Sequence, residues 1–177
     1  MSHILKLTLA ILALGLIGYK TYVKPIENAE TIVEEHSAIE ADSIKKEKLL
    51  TDSIIEFSFE LLGTPYVTAG NGKGGFDCSG FVYFVFQHFS ISVPRSSKDY
   101  KNYGQEILIN DAQKGDILVF MSPTRNEIGH VGIVTKADGM NSDFIHATSG
   151  GQKAVVITSL TSPYYTKRFV KVVRVID

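Results

Sequence analysis

The chain holds one cysteine and no tryptophan in 177 residues. A single thiol cannot close an intrachain disulfide or build a multi-cysteine metal site. An excess of either charge is missing too. Lys and Arg number 18 against 19 Asp and Glu, a formal net charge of -1. Without a basic surplus nothing drives binding to a phosphate backbone, so nucleic acid is not an expected partner. Prolines number 5 against 15 glycines, a balance that suggests many tight turns. Hydrophobic residues at 44% and charged residues at 21% are ordinary globular usage, which excludes a wholly disordered chain. The length suits one domain with a short appendage.

Long apolar runs are also scarce. Leu7 to Tyr19 is uncharged for 13 residues, short of the roughly 20 that span a bilayer. Extension over residues 4–23 reaches that length but takes in Lys6 and Lys20, whose side chains can snorkel to an interface. Lys6, His3 and the terminal amine supply the basic flank of an export signal. Residues 1–23 are therefore expected to be a cleaved signal peptide or an uncleaved signal anchor. Export to the periplasm or the exterior is expected in either case, with membrane contact through this segment where it is kept. No cysteine follows the run, so lipid attachment at such a residue is excluded.

Residues 24–50 change character. Acids come first (Glu27, Glu30, Glu34, Glu35, Glu40, Asp42), then Lys45, Lys46 and Lys48. Apolar positions are sparse and glycine is absent, which reads as a solvated helical linker or stalk. Residues 51–177 then form the expected globular domain. Ser53-x-x-Glu56 fits a capping box, with Gly63 and Pro65 closing the helix that follows. Gly70 to Gly75 is a loop by composition. Phe81, Val82, Val85, Phe86 and Phe89 recur at helical spacing from Cys78 onward. Five short segments, at 117–120, 131–135, 143–147, 154–158 and 169–176, are rich in β-branched and aromatic residues and read as strands. Helices first and strands after imply an α+β fold with an antiparallel sheet.

Cys78 draws the chemistry to itself. An unpaired cysteine in an exported chain needs a reason. Simple packing is one, since free cysteine is a good small hydrophobe. Its setting argues otherwise: it follows a glycine-rich loop and opens a helix, where free N–H groups and the helix dipole favour a thiolate. Gly80 leaves room for backbone to approach. A thiol nucleophile needs an imidazole partner. His3 lies in the export signal and His36 in the linker, while His88 sits about 15 Å along the same helix. His130 opens a strand after Gly129. His146 lies inside the apolar strand Phe144-Ile145-His146-Ala147, where a polar ring requires a hydrogen-bonding partner. Cysteine at a helix start followed by histidines on later strands is the order used by papain-like cysteine enzymes.

Six blocks now make a specific resemblance: Gly63-Thr64-Pro65-Tyr66, Phe76-Asp77-Cys78-Ser79-Gly80-Phe81, Pro94-Arg95, Gly115-Asp116, Gly129-His130-Val131-Gly132-Ile133 and Phe144-Ile145-His146-Ala147. Together, and in this order, they resemble the NlpC family of peptidoglycan cysteine peptidases over about residues 56–177. Ser162-Pro163-Tyr164-Tyr165 with Lys167-Arg168 is similar to the end of its outer-membrane-associated murein endopeptidases. The resemblance implies a papain-like α+β fold, with the nucleophile's helix packed on a central antiparallel sheet. It implies Cys78 as nucleophile, His130 as base and His146 as the residue that orients it. Tyr66 would line the site. Asp77 and Ser79 would receive a stem-peptide amine, helix capping being the plainer alternative. Arg95 would serve as substrate contact or structural ion pair. Lys98, Asp99 and Tyr100 stand where the family often has a glutamine. The implied substrate is the peptide part of peptidoglycan, cut between D-glutamate and the diamino acid or at the D-alanyl cross-link, without metal or cofactor. An amidase or acyltransferase on the same fold, a non-catalytic wall-binding module and a membrane-tethered scaffold are the rival readings.

Overall fold

The computed structural model of the chain describes residues 29–176. The expected signal over residues 1–23 and the first residues of the expected linker lie outside the described residues. Helix α1 covers Ala29–Glu60. The chain divides after Ile44, and Lys45–Asp177 forms the unit that carries everything below. Within residues 29–44, Val33, Ile39 and Ile44 are exposed. Further along, Ile54 and Ile55 enter the core. The expected helix start at Ser53 is not one. Ser53 lies inside α1, and its hydroxyl donates back to the Leu49 carbonyl at 2.9 Å, a bond open to any serine in mid-helix. The end is as expected: Gly63 takes φ +77°, the left-handed conformation that glycine adopts without strain. Among the described residues no helix is long and apolar enough to cross a membrane.

The glycine-rich loop folds into a small hairpin, strands β1 (Asn71–Gly72) and β2 (Gly75–Phe76). It delivers the chain into helix α2, Cys78–His88. Phe81, Val82, Val85 and Phe86 form its fully buried stripe, each worth about 1.5–3 kcal/mol of burial. They share one cluster with Val131, Ile133 and Ile145 from the sheet.

That sheet has six strands in the order β3-β8-β4-β5-β6-β7, every neighbouring pair antiparallel. The strands are β3 (Gln105–Ile107), β4 (Ile117–Met121), β5 (Ile128–Lys136), β6 (Asp143–Ala147), β7 (Val155–Ser159) and β8 (Phe169–Arg174). A single turn of helix, α3 (Pro163–Thr166), precedes β8. The α+β architecture and the five expected strands are present, and β3 is an addition. The second face of the sheet is covered by Leu160 and Tyr165 over Leu118, Phe120, Val134, Phe144 and Val172. Asp116, 4% exposed, accepts two bonds from the Arg174 guanidinium at 2.9 and 2.8 Å and one from the Gln113 N–H. The Gly115-Asp116 block thus ties the start of β4 to β8.

Candidate active site

Local forces set Cys78 at its helix start. Asp77 is the N-cap, with extended φ/ψ and its Oδ1 accepting from the Gly80 N–H at 2.7 Å. Gly80 is obligatory. A Cβ there would lie 2.0 Å from the Gly70 carbonyl oxygen, so only glycine lets the hairpin close on the helix. The Cys78 Sγ meets the start of β5, with a long contact of 3.8 Å to the Gly129 carbonyl. It remains partly exposed.

The imidazoles are brought together by sheet register. Ile133 pairs with Ile145, so His146 falls beside Gly132 and diagonal to His130 on the same face. A Cβ on Gly132 would stand 3.0 Å from the His146 Cβ, and the glycine keeps that gap open. His130 Nε2 and His146 Nδ1 are 3.0 Å apart. On the next strand Thr158 pairs with Phe144, again a diagonal step from His146. His146 Nε2 lies 3.0 Å from Thr158 Oγ1. A hydrogen-bonded line therefore crosses β5, β6 and β7. Aromatic rings wall it in: Phe144 stacks on His146 at 4.6 Å, and Tyr165 stands 5.7 Å from His130 and 5.1 Å from His146.

A cavity of about 460 Å³ is lined by Cys78, His130, Tyr66, Tyr164, Tyr165 and Arg168, among others. A second, of about 480 Å³, shares Cys78, Tyr66 and Gly129 and extends to Asp77, Ser79 and Arg95. In that second arm Arg95 grips Asp77 with two bonds of 2.9 Å, contacts the Ser79 hydroxyl at 3.3 Å and donates to the Gly70 carbonyl at 3.2 Å. Six of the seven residues singled out from the sequence thus line the two arms of one cleft, and His146 lies fully buried behind His130. The capping role of Asp77 and its ion pair with Arg95 are both present. Thr158 carries no sequence signal, and Tyr165 and Arg168 stand out in the sequence only within the block Ser162 to Arg168, with no role at the site.

Electrostatics depart from expectation at the sulfur. The helix start favours a thiolate, and the N–H groups of Val131, Ser79 and Cys78 do pull the thiol downward. Burial and the Asp77 carboxylate outweigh them, and the net direction is up. Burial, the neighbouring His146 and the Arg168 charge hold His130 well below the ordinary imidazole range. Burial brings His146 down to about 3. The resting pair is therefore a neutral thiol beside a neutral imidazole. Among the described residues no group of three or more His, Cys, Asp or Glu side chains is gathered as a metal site would need.

Comparison with known proteins adds the following. The model of the NlpC/P60 family matches residues 63–174. A probable endopeptidase of Haemophilus influenzae is 39% identical over 68% of this chain and 71% of its own length. The murein DD-endopeptidase/murein LD-carboxypeptidase MepS of Escherichia coli K12 is 30% identical over 84% of this chain and 76% of its own. The gamma-D-glutamyl-L-lysine dipeptidyl-peptidase of Bacillus subtilis is 31% identical over 81% of this chain, which spans only 48% of that protein. Among solved structures, an NlpC/P60 family protein from Bacillus cereus superposes with a TM-score of 0.64 at 27% identity, over 72% of this chain and 40% of that one.

Proposed function

The chain belongs to the NlpC/P60 family, and from that premise we propose that it is a cysteine peptidase of the cell envelope that cuts amide bonds in the peptide part of peptidoglycan. The observation that carries this reading is the line from His130 through His146 to Thr158, with Cys78 and His130 lining one cavity. The target is the D-glutamyl or D-alanyl bond to the diamino acid. Relatives named for each of these specificities support the pair of bonds.

The base role proposed for His130 requires one tautomer. His130 can take a proton from Cys78 only if Nδ1 carries a lone pair. Its proton then sits on Nε2 and is donated to His146 Nδ1. His146 must in turn carry its proton on Nε2, donated to Thr158 Oγ1. Thr158 thereby accepts from His146, and His146 from His130.

Because the resting pair is neutral, His130 acts as a general base while the sulfur attacks the amide carbonyl. Backbone N–H groups at the start of α2 receive the oxyanion together with the Tyr66 hydroxyl, one such donor being worth roughly 2.7–4 kcal/mol. His130 then passes its proton to the leaving amine, and water releases the acyl group from Cys78. Asp77, Ser79 and Arg95 form the arm that holds the substrate on the acyl side. The test is incubation of the full chain and its Cys78→Ala variant with defined muropeptides, followed by product masses. Wild-type protein is expected to split stem peptides or cross-links, and the variant to leave them intact. Equal cleavage by the two refutes the mechanism. Release of the whole stem from the sugar identifies an amidase instead.

A further inference from the structure

Arg168 is the charged residue that this reading leaves without a task. Four arginines occur in the chain. Arg95 holds Asp77, Arg125 holds Glu127 and Arg174 holds Asp116. Among the described residues Arg168 has no carboxylate partner. Nor is it a loose surface cation. Its Nε donates to the Tyr164 carbonyl at 2.9 Å and its Nη1 to the Met121 carbonyl at 3.1 Å. The guanidinium carbon lies 3.6 Å from the Tyr164 ring centroid, close enough for a cation–π contact. Two fixed bonds and a stacked ring hold the group still, and three of its five N–H donors are left over. The cavity it lines contains no Asp or Glu. A pre-oriented guanidinium with spare donors, in a cleft without acids, is built for an incoming carboxylate.

The position says which half of the substrate supplies it. The cleft has two arms that meet at Cys78, Tyr66 and Gly129. One contains Asp77, Ser79 and Arg95, the other His130 and Arg168. His130 must hand its proton to the leaving amine, so the leaving half lies in the arm of His130. We propose that Arg168, stacked on Tyr164, is a specificity residue that binds a free carboxylate on the leaving half of the substrate, at the side-chain end of the diamino acid. This rests on the peptidase reading above. Its consequence is selection for a diamino acid that keeps a charged carboxylate, and rejection of one whose carboxylate is an amide.

The experiment uses two diaminopimelate muropeptides that differ only there, one with the free side-chain carboxylate and one with the amide. Wild-type kcat/KM is expected to favour the free acid by about tenfold or more, the scale of a charge-assisted hydrogen bond. In Arg168→Gln the ratio falls to near one. In Arg168→Lys, which keeps charge but not the fork, it is intermediate. A partly unfolded variant cannot distort the ratio, since both substrates meet the same active fraction. If Arg168→Gln is inactive on both, calorimetric binding of the same pair to Cys78→Ala and Cys78→Ala/Arg168→Gln gives the ratio without turnover. An undiminished ratio in Arg168→Gln, or no preference in wild type, overturns the assignment. Wild-type protein that cuts neither muropeptide overturns the peptidase reading itself.

Discussion

Acidification from pH 7 to pH 5 should destabilise this domain through the two histidines of the site, and the size of the effect follows from their burial. His146 has no solvent exposure, both ring nitrogens are engaged, and Phe144 lies flat against it. Its pKa is down at about 3, against about 6.5 in an unfolded chain. The folded value is the lower one, so the unfolded state takes up protons first. The stabilisation is complete above about pH 6.5 and drains away as the pH falls towards 3. Between pH 7 and pH 5 the linkage relation gives a loss of about 2 kcal/mol for His146 alone. His130, shifted the same way, adds to the loss. Denaturant unfolding at the two pH values measures the difference directly. His146→Gln removes one of the titrating rings and should clearly reduce the pH dependence, even where it lowers stability at pH 7. Equal wild-type stability at pH 7 and pH 5 would refute the claim that these rings are held neutral by burial.

Two further outcomes follow from the same site. Alkylation of Cys78 by iodoacetamide in the free enzyme should be slow at pH 7, because a thiol above the ordinary 8.5 is less than about 3% ionised there. Its rate should climb about tenfold per pH unit to beyond pH 8, and a rate flat from pH 5 to pH 8 would mean a preformed thiolate–imidazolium pair. Thr158→Val should lower kcat roughly tenfold with little change in KM, a cost of ~1.4 kcal/mol, since it removes the hydrogen-bond partner of His146 Nε2 without touching substrate. A change confined to KM would show that Thr158 acts on binding instead.

What the sequence discloses here depends on how local each signal is. Helix α2 was legible because its apolar spacing, its aspartate cap and the glycines before it all lie within about 20 residues. The cluster of Cys78, His130 and His146 was legible through motif order, not through distance. Thr158 was not, because a threonine in a strand is ordinary. It becomes visible only when the register of β6 on β7 sets it diagonal to His146. Strand β3 carries no alternation, with Gln105 and Glu106 both exposed, and is fixed by pairing to β8. The helix start was misread because Ser53 and Glu56 satisfy a capping pattern that a helix already under way satisfies equally well. The charge state of Cys78 was misread for a related reason. The helix terminus is a local feature, whereas desolvation is a sum over the whole fold.

Desolvation of Cys78 bears on how a lone sulfur survives in the cell envelope. A thiolate is the form that oxidants and stray electrophiles attack. Burial and the Asp77 carboxylate keep Cys78 as thiol at rest, while the same desolvation keeps His130 able to accept a proton. The reactive ion pair then forms only when a carbonyl is in place to take up the charge and the helix N–H groups receive it. Asp77 is thus set against two demands, since its negative charge disfavours the thiolate while its cap aligns the amides that stabilise the oxyanion. Arg95 reconciles them. By holding both carboxylate oxygens at 2.9 Å it neutralises part of the charge facing the sulfur and leaves the cap intact. On the proposed mechanism the Asp77–Arg95 pair belongs to the tuning of the nucleophile as much as to the arm that would hold the acyl half of the substrate.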